Sequence, residues 1–267
     1  MQADWLAPAS LEEALALRAE RSDATVVAGG TFVGILVNQR LLAPKAFLSL
    51  GGIPDLDRIE DEGGELRLGA LATHRAVERS PLVREKWPAL ADTFALVASP
   101  RVRNRATVGG VLGDADYASD PPSMFVALGA RAVVRRVGGE REIPVEELIV
   151  GHYETSLDPD ELIVEVRVPG GPHRAVYRKF RTRSSEDRPC VGVAACRRES
   201  GLRVVVGAVS DRPQFFPRLC EPHGDPATVG RAYAEAIDPI GDVSGSSEYR
   251  RRVIAVEVRR ALEELAA

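Results

Sequence analysis

The feature that most constrains the fold is a short apolar run that stops at a pair of glycines. Residues 25–28 (TVVA) are β-branched and apolar, which favours a strand, and Gly29-Gly30 ends the run. Residues 32–39 then predict a helix. Because strands alternating with helices are typical of layered α/β structure, this unit predicts that the chain begins with a compact half-domain.

The rest of the chain predicts an α+β fold in three parts. Ser10 and Glu13 form a capping-box pattern that begins a helix ending near Glu20. We expect parts at residues 1–60, 61–171 and 172–267, with the Pro-Gly-Gly-Pro run at 169–172 as the linker. Expected strands cover residues 46–50, 66–69, 132–136, 142–144 and 162–168, and expected helices cover residues 73–79, 87–97 and 122–128.

Two further patterns locate a C-terminal sheet and a candidate site. Residues 175–180, 191–197 and 202–209 predict a three-stranded antiparallel sheet, followed by helices over 227–237 and 249–265. Residues 99–120 show no sustained period and predict a long polar loop. Because loops of this length are usually functional, we expect the binding site there.

Composition excludes several classes of protein. The formal charge is −4 with scattered basic residues, so a nucleic-acid surface is not expected. Three cysteines, Cys190, Cys196 and Cys220, form no C-x-x-C pair, which argues against a disulfide framework or a Cys₄ metal site. The absence of a signal-peptide pattern and of a long apolar stretch predicts a cytoplasmic protein without a membrane span.

The two glycine pairs, Gly29-Gly30 and Gly109-Gly110, are candidates for binding an anion. Without Cβ atoms their successive amides can converge as a nest, and Thr31 and Thr107 can add hydroxyl donors to phosphate oxygens. The alternative is that each pair is only a tight turn at the end of a strand.

Four motifs in order make the chain similar to a known family. They are AGGT at residues 28–31, GIPDL at 52–56, GALATH at 69–74 and RNRATVGG at 103–110. Together they resemble the FAD-binding medium subunit of molybdenum hydroxylases, the group that contains carbon monoxide dehydrogenase and xanthine dehydrogenase. The similarity covers nearly the whole chain and implies a two-part PCMH-type FAD-binding domain followed by a small C-terminal domain.

The resemblance implies a set of FAD-binding residues and no metal ligand or catalytic side chain. Ala28, Gly29, Gly30, Thr31 and Phe32 would lie against the FAD diphosphate together with Thr107, Gly109 and Gly110. The resemblance also implies that Asp120 contacts the ribityl hydroxyls and that Lys179 lies near the flavin ring. Among the arginines of this segment, Arg103 is the one that matches the family motif. Asp120 also fits a helix cap, Lys179 an exposed strand position, and Arg101, Arg103 and Arg105 a solvated loop or interface.

The sequence also departs from the family pattern. Val111 stands where Asn is usual, Tyr117 where Pro is frequent and Phe32 where Ser or Asp is common. We expect Phe32 to pack inward, and Tyr117 to contact the flavin or the loop around it. His74, His152 and His173 lack metal-ligand spacing and are expected at the surface.

By resemblance the chain is an FAD-containing electron-transfer subunit of an oxidoreductase. The resemblance implies two partners, a molybdopterin-binding large subunit and a 2Fe–2S small subunit. The three chains would form a heterotrimer, and two heterotrimers would form a dimer. Electrons would pass from the clusters through FAD to an external acceptor. Two alternatives remain at this point, a free-standing FAD-dependent oxidoreductase and an assembly module without cofactor.

Overall fold

A computed structural model describes residues 3–220 and 225–267 of the chain. The strands are β1 (Asp4–Leu6), β2 (Thr25–Val27), β3 (Ala46–Ser49), β4 (Ile59–Glu62), β5 (Glu65–Gly69), β6 (Arg131–Arg136), β7 (Gly139–Pro144), β8 (Ile149–Gly151), β9 (Glu154–Thr155), β10 (Leu162–Val168), β11 (Arg174–Phe180), β12 (Val191–Arg198), β13 (Gly201–Gly207) and β14 (Gln214–Phe215). The helices are α1 (Leu11–Glu20), α2 (Thr31–Asn38), α3 (His74–Arg79), α4 (Pro81–Lys86), α5 (Pro88–Ala95), α6 (Pro100–Arg103), α7 (Val108–Gly113), α8 (Pro121–Leu128), α9 (Val145–Leu148), α10 (Pro226–Ala236) and α11 (Ser247–Ala266), with a 3₁₀ turn at Pro217–Leu219.

The first sheet is parallel and has the order β1-β3-β2. Parallel neighbours need crossover connections, and α1 and α2 supply them. The Ser10 hydroxyl caps α1 by accepting the N–H of Glu13 at 3.1 Å, as the capping-box pattern predicts. The predicted strand, glycine turn and helix over residues 25–39 are therefore confirmed.

The second sheet is antiparallel and has the order β4-β5-β10-β6-β7. The helices α5, α7 and α8 bury apolar side chains in the same core as this sheet. The prediction of one unbroken loop over residues 99–120 is wrong, because α6 and α7 lie within it. Pro100 opens α6, and the Thr107 hydroxyl caps α7.

The third sheet runs β11-β12-β13-β14 and is antiparallel throughout. It contains the three predicted strands and adds the two-residue strand β14. Along β12, Ala194 and Cys196 belong to the core around the second sheet, whereas Val193 and Ala195 belong to a core with α10 and α11. Because side chains alternate between the faces of a strand, this sheet is buried on both faces.

The segment expected to link the second and third parts is tightly packed. The Trp87 indole N–H donates to the Pro169 carbonyl at 3.2 Å, and the Arg198 guanidinium donates to the carbonyls of Pro169 and Gly170 at 2.8 and 2.6 Å. A Cβ atom at Gly170 would lie 1.5 Å from the Gly64 carbonyl oxygen. Pro169 and Gly170 are therefore held in place, whereas Gly171 and Pro172 are exposed.

In the two stretches 3–220 and 225–267, no helix is both long and apolar enough to cross a bilayer.

Candidate functional site

The first glycine turn presents unused backbone donors. Gly30 takes the N-cap position of α2 in the left-handed conformation, with φ +72°, and no side chain caps the helix. Over residues 28–33, no acceptor in the described parts of the chain receives a backbone N–H. Because a helix N-terminus carries partial positive charge, this turn is suited to an anion such as a diphosphate.

The second glycine turn has the opposite arrangement. The N–H groups of residues 108–111 donate in order to the carbonyls of Ala72 and Ala70, the Thr107 hydroxyl and the Thr107 carbonyl, at 3.0, 2.7, 3.1 and 3.0 Å. The expectation that these amides form a nest is therefore wrong, because every one already has an acceptor inside the protein. Gly109 is needed for packing, since a Cβ atom there would lie 2.6 Å from the Ala70 Cβ.

The two turns lie against each other. A Cβ atom at Gly29 would lie 1.7 Å from the carbonyl oxygen of Arg105 and 3.2 Å from the Cα of Ala106. Only glycine permits this approach, because a side chain would separate the two segments. The structure thus brings the first turn onto the backbone that leads into Thr107, as a single site built from both glycine pairs requires.

His74 packs against the second turn and is hydrogen-bonded to it. Its backbone N–H donates to the Ala106 carbonyl at 2.8 Å, and its Nε2 lies 3.2 Å from the Thr107 carbonyl. Its ring meets Phe94 edge-on at 4.8 Å, and burial lowers the pKa of His74 to about 4. The expectation of a surface position for His74 is wrong, because the start of α3 places the ring between Phe94 and Thr107.

Arg103 stabilises the turn that follows α5. Its Nε donates to Glu78 at 2.9 Å, and one Nη donates to the carbonyls of Val97 and Ala98 at 2.8 and 2.9 Å. Burial by itself would raise the pKa of Glu78, but the hydrogen bonds and positive charges of Arg75 and Arg103 together bring this pKa below its usual value. The interpretation of Arg103 as a residue of a solvated loop is wrong, because its guanidinium is committed to a buried carboxylate and a backbone turn.

Asp120, Lys179 and Tyr177 form a buried polar cluster. The Lys179 ammonium donates to Asp120 Oδ2 at 2.9 Å and to the Leu96 carbonyl at 2.8 Å, and the Tyr177 hydroxyl donates to Asp120 Oδ1 at 2.8 Å. Asp120 is 3% exposed and the Lys179 side chain 1%. The alternative of an exposed strand lysine is therefore wrong.

The same contacts exclude the interpretation of Asp120 as a helix cap. Although it precedes α8, its side chain makes no cap hydrogen bond and its backbone is already helical, with φ −74° and ψ −50°. The helix-cap interpretation is wrong, because Lys179 and Tyr177 take the carboxylate instead. Burial raises the pKa of Asp120, although the charge of Lys179 favours the ionised form. Each carboxylate oxygen retains a second acceptor site, so the ribityl contact stays a prediction.

Phe32 does not pack into a core. The helix α2 buries none of its residues, and the Phe32 ring stacks on Tyr153 with centroids 5.6 Å apart. The expectation of an inward-facing Phe32 is wrong, because its neighbour across the turn is an exposed tyrosine. Tyr117 lies nearby, with its hydroxyl 3.4 Å from Asp242 Oδ2 and its ring edge-on to Tyr153 at 6.4 Å.

Sequence reasoning missed two acids in the polar segment. Asp116 pairs with Arg188 at 2.8 Å. Burial, with a smaller effect of Asp116, raises the pKa of Asp114 to about 7. Their Asp-Ala-Asp spacing was the available signal, but nothing in the sequence indicates that Asp116 is buried and Asp114 half-buried.

Comparison with known proteins identifies the family. The model of the family described as "FAD binding domain in molybdopterin dehydrogenase" matches residues 1–171 of the chain. The chain belongs to this family. It is an FAD-binding subunit of the molybdenum hydroxylase type and an oxidoreductase, and the resemblance drawn from its four sequence motifs is confirmed.

Relatives that match over nearly their whole length support the same family assignment. The chain is 33% identical to the nicotine 6-hydroxylase medium subunit of Paenarthrobacter nicotinovorans, over 98% of this chain and 97% of the relative. It is 30% identical to the carbon monoxide dehydrogenase medium chain of Hydrogenophaga pseudoflava, over 97% and 95%.

Solved structures show the same fold. Carbon monoxide dehydrogenase from Hydrogenophaga pseudoflava, in a form lacking the Mo-pyranopterin moiety, superposes with a TM-score of 0.93 at 28% identity, over 98% of this chain and 96% of that one. Quinoline 2-oxidoreductase from Pseudomonas putida 86 gives a TM-score of 0.92 at 28% identity, over 100% and 97%. The predicted α+β fold is confirmed.

The residues at the site fit FAD. The first turn supplies consecutive unused amides for a diphosphate, and its Gly30 has no side chain to obstruct the approach. Asp120 and Lys179 form a buried ion pair, and the stacked rings of Phe32 and Tyr153 lie at the start of the helix that follows the turn. The departure at Phe32 does not remove these donors, because they are backbone groups, whereas Val111 lacks the side-chain amide of the usual Asn.

Proposed function

We propose that this chain transfers electrons between partner subunits and an external acceptor through one noncovalently bound FAD. The observation that carries the proposal is the open amide turn at residues 28–33, seated on the backbone of Arg105 and Ala106. FAD supplies redox chemistry in steps of one or two electrons, and the protein supplies binding, orientation and charge. Substrate oxidation would take place at a molybdenum cofactor on a large partner.

The division of labour among subunits is supported by the cysteines. The sequence has three, and Cys190, Cys196 and Cys220 are all free and buried in cores. Because an iron–sulfur cluster usually takes four cysteine ligands, we place the clusters of the proposed complex on another chain. We assign them to a 2Fe–2S small subunit, in line with relatives that are themselves medium subunits.

Each proposed cofactor residue has a distinct task. The amides of residues 28–32 and the Thr31 hydroxyl hold the diphosphate, while Thr107, Gly109 and Gly110 form the rigid segment on which that turn is seated. Arg103 acts as a positioning residue through its hold on the carbonyls of Val97 and Ala98.

Asp120 and Lys179 act together at the ribityl and flavin end. Asp120 accepts ribityl hydroxyls, and its two protein donors fix the direction of the carboxylate. Lys179 provides a buried positive charge, which favours the anionic reduced flavin over the neutral oxidised ring. Its hydrogen bond to the Leu96 carbonyl keeps that charge in place.

We also propose that the complex is a dimer of heterotrimers and acts in the cytoplasm. Three free buried cysteines are consistent with a reducing compartment.

Isolation of the chain with and without its complex tests the proposal. The chain alone should bind one FAD that acid precipitation releases, and it should show no steady turnover. The complete complex should contain molybdenum and iron. A chain that turns over substrate by itself would be a free-standing oxidoreductase, and a folded chain that retains no flavin after desalting would be an assembly module.

A further inference from the structure

We propose that Tyr153, stacked on Phe32, forms an aromatic surface that packs against the flavin ring of FAD. The inference rests on the proposed function, because it assigns a further contact of the same cofactor. It concerns a residue that the four sequence motifs do not include.

Tyr153 is a large aromatic side chain left in contact with solvent. It is 51% exposed, and its ring lies 5.6 Å from that of Phe32 at an interplanar angle of 15°. This is an offset stack, which leaves part of each ring face uncovered. Because Phe32 is the second residue of α2, the aromatic pair stands directly beside the unused amides of the first turn.

The backbone fixes Tyr153 in this exposed position. It lies between β8 and β9, at the tip of a short hairpin, with φ +56°. Its N–H donates to the carbonyl of Ala115, which also has a positive φ, of 45°. A bulky residue in the left-handed region is uncommon, and such outliers cluster where function requires them. Exposure of an apolar ring at such a position indicates that it meets a ligand.

The ring of Tyr117 extends this surface toward the segment that leads to Asp120. Tyr117 meets Tyr153 edge-on at 6.4 Å and 81°, and it precedes Asp120 by three residues. Asp120 in turn contacts Lys179. The chain segment from Tyr117 to Asp120 therefore starts at this aromatic surface and ends at the residues assigned to the ribityl chain and the flavin ring. Because the residues assigned to the ribityl chain and flavin lie at the end of that segment, the planar group that meets Tyr153 is the flavin ring rather than the adenine.

Binding measurements on Tyr153→Ala and Tyr153→Phe test this assignment. Dissociation constants for FAD come from flavin fluorescence titration, and those for ADP from its displacement of FAD. Trp5→Ala is the matched control, because Trp5 is 61% exposed and has its own ring partner, Phe47, at 5.6 Å. Thermal stability of each variant without FAD shows that it is folded.

We expect Tyr153→Ala to raise the dissociation constant of FAD about tenfold, the factor that corresponds to about 1.4 kcal/mol. Tyr153→Phe and Trp5→Ala should stay near the wild type, and ADP should bind all four proteins alike, since ADP lacks the flavin ring. Unchanged FAD affinity in folded Tyr153→Ala overturns the proposal. Weakened ADP binding overturns the choice of flavin over adenine. A wild-type chain that binds no FAD refutes the proposed function instead.

Discussion

The two glycine turns are alike in sequence and opposite in hydrogen bonding. Each has a Gly-Gly pair with a threonine and begins a helix, yet the first leaves its amides open and the second uses all of them. The difference comes from the residue at the N-cap position of each helix. Thr107 precedes its helix and caps it, whereas Gly30 takes the cap position of α2 and has no side chain to do so. A glycine pair alone therefore does not tell whether its donors are available.

The comparison separates a ligand-binding turn from a supporting one. Damage to the supporting turn should reduce the free energy of unfolding, and damage to the binding turn should reduce FAD affinity. Four sets of variants test this separation.

The largest effect is expected for Arg103→Met, on the supporting side. Without the Arg103 guanidinium, Glu78 keeps only Arg75 as a partner and the carbonyls of Val97 and Ala98 lose a donor, so the free energy of unfolding should fall by about 4 kcal/mol. Arg103 and Glu78 are both buried at their 2.9 Å contact. Urea unfolding measures the loss. The exposed neighbour Arg101→Met is the control, and an equal response of the two variants would show that Arg103 has no special structural role.

Gly29→Ala should damage both properties, because Gly29 is where the turns meet. The new Cβ would overlap the Arg105 carbonyl, and overpacking of this kind costs about 3 kcal/mol. FAD binding should be lost as the turns separate. Gly34→Ala in the same helix is the control, since a Cβ there meets nothing within 4 Å and alanine favours helix. Wild-type FAD affinity in Gly29→Ala would refute the contact between turns.

His74 should make the supporting turn sensitive to acid. Its pKa is about 4 in the folded protein and about 6.5 when unfolded, so below pH 6.5 the unfolded state binds the proton first. Stability is complete above pH 6.5 and falls as the pH drops toward 4, by about 2 kcal/mol at pH 5. Urea unfolding from pH 7.5 to pH 5 measures the slope.

Two glutamine variants isolate this contribution. His74→Gln should show a shallower dependence on pH than the wild type, whereas the exposed His152→Gln should keep the wild-type slope. Parallel curves for His74→Gln and the wild type would contradict the assignment of the slope to His74.

The smallest effects come from a matched pair of threonines. Thr107→Val removes a helix cap and should cost about 1 kcal/mol of stability with little change in FAD affinity. Thr31→Val should leave stability unchanged and raise the dissociation constant of FAD about tenfold, because a hydrogen bond to a charged group is worth about 1.5 kcal/mol or more. Thermal melts measure the stability of both variants, and flavin titrations measure their dissociation constants for FAD. The same pattern in both variants would remove the distinction between the turns.

Local patterns in the sequence were sufficient for much of the fold. The cap at Ser10 and the glycines after residue 28 predicted elements that the structure contains, because their signals lie within a few residues. The short strands β1 and β4 escaped prediction, since three or four residues give no period and their pairing depends on distant partners.

For the candidate site, the sequence indicated residues but not their arrangement. The family resemblance indicated Asp120, Lys179 and Arg103, but not that the first two pair with each other or that Arg103 pairs with Glu78. These contacts join positions 25 to 59 residues apart, which spacing along a chain does not reveal. Tyr153 carried no signal at all, because its exposure depends on a hairpin of two very short strands.

The packed Pro-Gly-Gly-Pro segment has a practical consequence for dissecting the protein. The family match ends at residue 171, inside this segment, and a truncation there would appear natural. Yet the core of the second sheet includes Ala194, Cys196 and Val205, which such a fragment would lack. Cutting the chain at 171 would expose the apolar face that these residues cover and remove the lysine at 179. The region recognised as the FAD-binding domain is thus shorter than the stretch of chain that completes its core and carries all the proposed FAD-binding residues.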